Sequence, residues 1–435
     1  MEKVDRAVVV GGSIAGLAAA ATLASRASEV VVVERHEASD HRRSTAAQGQ
    51  LPHVMLASGA RVLESLFPGF ADELVRRGAD PGSADPEVLP CHWVAAGVLR
   101  DHLTLPPLGF SRALCSRGLV EAALREATLA LPNVHLVQDH VDGLVMDGSR
   151  TVGVRLRSYE PVEASLVVDA SGRGSRIEEW LTAAGLGAVP HTEVGVDLRY
   201  SAYVVERRAT DFDGASIAVI QNTAAVPRIG VALPREGGLW QIVLGGYFGE
   251  SAPVDPVGAG AFARTLTSPV LADVLDRPFV EEPRRFTFRS SLRRHWNRMP
   301  GHPEGFAVVG DAVASFNPIY GQGMSSALMQ AEALGEAVDR HGAGPGFARA
   351  AASAASAVAD WPWQTATGGD FTYERTEGRR PPGGRLVGRY VERVFRTAAS
   401  DELVNRALTE VQHLLAPPAS LMRPAVMARV LRQAA

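Results

Sequence analysis

The sequence predicts an α/β protein: a Rossmann-like dinucleotide-binding domain built from separated segments, an inserted antiparallel β-sheet, and a helical C-terminal tail. Three observations predict it. Residues 1–34 read as strand, glycine turn, helix, strand. The same buried-strand pattern returns at Ala164–Val168 and at Phe306–Gly310. Between those returns, residues 195–247 carry strand after strand with no long helix, which marks a separate sheet.

In order, Arg6-Ala-Val-Val-Val10 is a short buried strand, and Gly11-Gly-Ser-Ile-Ala-Gly16 follows at once. Leu17–Ala24 is helical, and Glu29–Val33 is a second strand ending in Glu34. This is the dinucleotide fingerprint, with Ser13 at the middle glycine position. The helix N-terminus, at Gly12, Ser13, Ile14 and Ala15, offers unpaired N–H groups to a pyrophosphate. Glu34 stands where a carboxylate holds ribose hydroxyls.

Arg35–Gln50 reads as a polar loop, and Leu56–Leu66 as a helix stopped by Pro68-Gly69. Residues 78–110 are rich in Pro and Gly. Gly118–Arg125 is helical, with Arg117 before it. Val134–Val137, Val141–Met146 and Thr151–Arg157 are strands, the last two joined by the Asp147-Gly148 turn. Short helices are expected at 261–266 and 270–275, and a return strand at 284–289. Asp311–Gly323 is a loop and Met324–Val338 an apolar helix. From about Phe347 the chain is mostly helical, broken at Thr376–Gly384. The expected division is a dinucleotide domain from 1–77, 111–185 and 299–345, a substrate domain from 78–110 and 186–298, and a helical region at 346–435.

Composition narrows the function. The net charge of −4 argues against nucleic-acid binding. Cys91 and Cys115 lack disulfide or metal spacing, so a reducing cytoplasm and no metal are expected. No apolar run is long enough to cross a membrane, and the N-terminus enters a core strand directly, leaving no room for a signal peptide. Of 44 Lys and Arg residues only Lys3 is lysine.

With Gly11–Gly16, Arg117, Asp169-Ala-Ser-Gly-Arg-Gly174, Gly310-Asp311 and Asn317-Pro-Ile-Tyr-Gly-Gln-Gly-Met324 in this order, the chain resembles the group A flavin monooxygenases, the para-hydroxybenzoate-hydroxylase-like FAD proteins. The resemblance runs through about residue 340 and is weaker beyond. Gln48-Gly-Gln-Leu-Pro-His53 and Asn317–Met324 look more like the squalene-epoxidase-like branch of bacterial polyketide and terpenoid epoxidases and hydroxylases. The resemblance implies a glutathione-reductase-like FAD domain. It implies that FAD is held by Gly11, Gly12, Ser13, Ile14, Ala15, Gly16, Glu34, Arg35, Arg43, Gln48, Arg117, Val141, Asp311, Gly321, Gly323 and Met324. Asp311 would take the ribitol hydroxyls, and Arg117 the phosphates or ribose. The helix opened by Gly323-Met324 would face the flavin with its positive end.

The implied reaction inserts one oxygen atom of O2, through a flavin C4a-hydroperoxide, into an apolar small molecule by epoxidation or hydroxylation. NAD(P)H or a separate flavin reductase would supply electrons. Ser171 stands where many relatives carry Asp, which puts direct NADPH reduction in doubt. No acid–base dyad emerges, because the cofactor performs the oxidation. His53 reads as a structural histidine. Tyr203, Gln221, Trp240, Asn317 and Pro318 are the substrate-binding candidates, with Tyr200 and Tyr247 on the same strands. A flavin halogenase would need a lysine near the substrate and a Trp-x-Trp-x-Ile-Pro motif; Trp361-Pro-Trp363 does not supply it. A reductase of the geranylgeranyl-reductase kind is the alternative, and a non-catalytic flavin-binding role the remaining one. The run Leu414–Leu431 reads as a helix packed on the FAD domain in preference to a peripheral membrane contact.

Overall fold

The computed structural model describes residues 4–36 and 53–432. Arg43, Gln48 and the rest of the 37–52 loop lie outside the described residues.

The first sheet has five parallel strands, in the order Phe306–Val308, Leu166–Asp169, Val4–Val10, Ala27–Glu34, Val134–Gln138. Its three central strands carry runs of valine buried on both faces, as a covered parallel sheet requires. Helices Ile14–Ala24 and Gly323–His341 pack on one face through Leu17, Leu23, Leu328 and Leu334. On the other face lie Ile177, Leu181 and the small three-stranded sheet Val141–Asp147, Arg150–Leu156, Val162–Glu163. Every strand ends toward the same edge, where the Gly11 turn, Glu34, Asp169 and Gly310 are found.

The second sheet has eight strands, in the order Ala314–Ser315, Arg284–Arg294, His191–Glu206, Leu239–Gly246, Arg228–Arg235, Ile217–Ile220, Val88–Ala95, Val98–Thr104. Adjacent strands are antiparallel except Ile217–Ile220 beside Val88–Ala95. The Pro- and Gly-rich stretch 78–110 thus holds a strand pair, and the return strand runs to Arg294 rather than stopping at 289. One face of this sheet packs on helices Pro256–Ala263 and Ala272–Leu275. The other faces a large cavity.

Helices Phe347–Asp370, Gly384–Ala398, Glu402–Gln412 and Pro424–Arg432 close the molecule. The first continues through Pro362. The buried Arg100 of the second sheet fastens the third: its guanidinium donates to Asn405 Oδ1 at 2.7 Å, Thr409 Oγ1 at 2.9 Å and Gln412 Oε1 at 3.1 Å.

Candidate functional site

The glycine turn is built by close approach. A Cβ on Gly16 would fall 1.8 Å from the carbonyl oxygen of Gly11, so only glycine lets the helix start this near the strand. Ser13 is the N-cap, yet its side chain caps no backbone N–H, which leaves the first-turn donors to a ligand. Its hydroxyl instead meets Arg117 at 3.1 Å and Glu121 at 3.2 Å. Glu34 Oε2 accepts from Gly12 N at 2.7 Å, and Oε1 accepts from His36 N at 2.9 Å. The carboxylate therefore sits at the lip of the turn. Arg35 is exposed and meets the neighbouring His36, and Val141 is half-buried against the core below the sheet.

The second half of the site comes from residues 310–324. Gly310 has φ +71°, and a Cβ there would lie 2.7 Å from the Ala15 side chain. The two glycine loops, three hundred residues apart in sequence, thus touch. Asp311 opens to the cleft between them. Surrounding protein pushes its carboxyl above the ordinary range, and the guanidinium groups of Arg117 and Arg173 pull it down. Gln330 Oε1 accepts from Gly310 N at 2.8 Å and fixes the turn. A pyrophosphate on the free N–H groups beside Arg117, and hydroxyls between Glu34 and Asp311, fit this donor and acceptor set.

Asp169 is buried at the strand end, and burial raises its carboxyl. Ser171 donates to it from both N (3.0 Å) and Oγ (2.6 Å), and Ser175 from Oγ at 2.6 Å. Ser171 thus caps the aspartate that precedes it.

Beside the loop lies a cavity of about 1390 Å³. Ile217, Val219, Val231 and Leu233 wall it from the sheet, Leu63 of helix Ala57–Leu66 and Met55 just before that helix from another side, and Trp363 and Phe395 from the C-terminal helices. Ile319, Tyr320, Gly321 and Met324 bring the loop to its edge, whereas Gly323 and Pro318 do not line it. Gln221 and His53 are on its wall. Tyr203 and Trp240 are not, which corrects their expected place in a pocket. The pleat turns both to the helix-covered face, where Tyr203 donates to Pro253 O and Trp240 to Asp211 Oδ2. Asn317 is buried rather than presented to the cavity. Its Nδ2 donates to Asp370 Oδ1 at 2.8 Å, and Tyr247 and Tyr320 reach the same oxygen at 3.2 and 3.3 Å. Asp370 Oδ2 is buried with no partner among the described residues. Burial pushes this carboxyl up to about 7, against those three hydrogen bonds.

Sequence reasoning missed Glu121, Arg125 and Asp370. Arg125 donates to Gly12 O at 2.8 Å. Arg117, Glu121 and Arg125 recur every fourth residue, a single helical face, and that spacing was the available signal. Nothing local marks Asp370.

Comparison with known proteins agrees with this geometry. A family model described as FAD dependent oxidoreductase matches residues 7–184. Protein Rv3254 of Mycobacterium tuberculosis is 31% identical over 420 residues, spanning 92% of this chain and 87% of that protein. The structure of p-nitrophenol 4-monooxygenase PnpA from Pseudomonas putida DLL-E4 superposes with a TM-score of 0.64 at 19% identity, covering 95% of this chain and 99% of that one. The flavin-dependent brominase Bmp2 superposes with a TM-score of 0.66 at 15% identity, covering 99% and 100%. At such identities the two structures speak for the fold. Among the described residues no helix is long and apolar enough to cross a membrane, and no cluster of three or more His, Cys, Asp or Glu residues could hold a metal. With the glycine loops, Glu34 and Asp311 arranged around one cleft, the chain belongs to the same family as Protein Rv3254 and is an FAD-dependent oxidoreductase.

Proposed function

We propose that the protein is an FAD-dependent monooxygenase that epoxidises or hydroxylates a large apolar molecule. The observation that carries this reading is the cavity of about 1390 Å³, walled by aliphatic and aromatic side chains and bordered by Ile319–Gly321 and Met324. It exceeds the ~300–1,000 Å³ of an ordinary small-molecule pocket.

Reduced FAD, when bound, supplies the activation of O2. The chain's own residues do the rest. Gly12–Gly16, Arg117 and Glu34 would hold the nucleotide half, and Asp311 the ribitol hydroxyls. The loop at 319–321 would border the ring, with Asn317 and Tyr320 anchored on Asp370 so that the loop keeps one shape. The apolar walls orient the substrate and keep water from the oxidising centre. The sequence of the Asn317–Met324 loop supports the narrower reading of a squalene-epoxidase-like enzyme of polyketide or terpenoid metabolism.

The test is isotopic. The purified protein, with NAD(P)H or a flavin reductase, is given polycyclic and polyene candidates under 18O2. One labelled oxygen per product, with substrate-dependent reductant consumption, is the expected result. Products that gain two hydrogens and no oxygen would instead assign a reductase.

A further inference from the structure

Helix Gly384–Ala398 is the most strongly amphipathic helix among the described residues, and only its C-terminal half is covered. Val394 and Ala398 are buried among the last helices, and Tyr390 donates to Leu421 O at 2.7 Å. The N-terminal half overhangs. Leu386 is 71% exposed and Val387 61%, and the adjoining Met422 is 52% exposed. Val387 and Met422 also line the large cavity, so this corner is its mouth.

The charge here is opposite to that of the molecule. Residues 379–396 carry six arginines and one glutamate, in a chain of net charge −4. Arg385, Arg389, Arg393 and Arg396 recur at helical spacing beside the apolar arc. Arg385 pairs with Glu374 and Arg396 with Glu392, whereas Arg379, Arg389 and Arg393 meet no carboxylate among the described residues. Adjacent aliphatic tips flanked by unpaired arginines are the composition of a helix that lies in a lipid–water interface.

We propose that this corner docks on an anionic lipid surface. Leu386, Val387 and Met422 enter the boundary between headgroups and acyl chains, and the arginines lie on lipid phosphates. The cavity mouth then opens toward the bilayer, and an apolar molecule passes between lipid and cavity without crossing water. An acidic protein would satisfy the arginines but leaves the aliphatic tips at the mouth unexplained. The docking does not depend on which reaction the cavity serves, and its test reads no turnover.

The FAD-loaded full-length protein is sedimented with vesicles of equal parts phosphatidylglycerol and phosphatidylcholine, and with pure phosphatidylcholine vesicles. Binding to the anionic vesicles, at least about tenfold tighter than to the neutral ones and weakened by salt, is expected. Arg379→Gln with Arg393→Gln removes two charges outside the cavity wall and weakens vesicle binding about thirtyfold. Leu386→Ser weakens it about tenfold. The flavin spectrum and melting temperature report the fold of each variant, and the doubly substituted arginine variant decides the matter if Leu386→Ser loses flavin. Equal binding to both vesicle types, or no binding to either, overturns the proposal. So does an arginine variant that binds as the parent does, or self-association or capture by an acidic carrier protein in place of vesicle binding.

Discussion

Asp311 and Asp370 are carboxylates with opposite settings. Asp311 looks into the cleft, where the guanidinium groups of Arg117 and Arg173 oppose the upward push of the surrounding protein on its carboxyl. Under the proposed function Asp311→Ala removes hydrogen bonds to the ribitol hydroxyls, worth roughly 1.5–3 kcal/mol each for a charged acceptor, and should raise the FAD dissociation constant tenfold or more, read by flavin absorbance after dialysis. Asp370 has no cation, only Asn317, Tyr247 and Tyr320. Its folded-state pKa is raised from 3.8 to about 7, so its stabilising share is full below the unfolded value and is lost as pH climbs through about 7. Asp370→Asn should therefore flatten the stability profile between about pH 4 and 8 and stabilise the protein at pH 8 by a few kcal/mol, roughly the worth of the shift. Urea unfolding across that range checks it; a parallel profile for the two proteins would contradict it. Asp311 was legible because strand, glycine and acid are consecutive. Asp370 was not, because its partners lie 53 and 123 residues away and only the folded chain assembles them.

At the scale of elements, the sequence marked those whose pattern is local. The valine strands, the glycine turn and the apolar helix after Gly323 each carry their own local pattern. The strand pair at 88–104 was hidden because Pro90 and the break in register between Pro90 and Trp93 blur the alternation. The faces of the second sheet were also hidden: aromatic residues such as Trp240 suit either side, and only the helices at 256–263 and 272–275 decide which side is covered. The link between Arg100 and helix Glu402–Gln412 is of this non-local kind. Burial lowers the guanidinium to about 10, and its partners are neutral amides and a hydroxyl. Arg100→Met should cost about 2–4 kcal/mol, since Asn405 and Gln412 lose a buried donor. Limited proteolysis should then cut first within the C-terminal helices, and an unchanged digestion pattern would contradict this.

At the scale of the molecule, the cleft and the cavity are products of convergence. Sheet, loop and tail each give one wall, and none encloses the space alone. Replacing Val219 by Trp, on the sheet wall, should weaken binding of a bulky hydrophobic dye about tenfold while the flavin spectrum stays the same. Calorimetric titration of the dye decides it. The strand order carries a consequence for how the protein is made. Leu166–Asp169 stays bare on one side until Phe306–Val308 arrives, and Arg284–Arg294 waits for Ala314–Ser315. Ribosomes add roughly 5–20 residues each second, so a growing polypeptide would spend several seconds with the apolar edge at Leu166–Asp169 open to strangers. Chaperone supply, more than codon choice at the start of the message, should then govern the yield of active material.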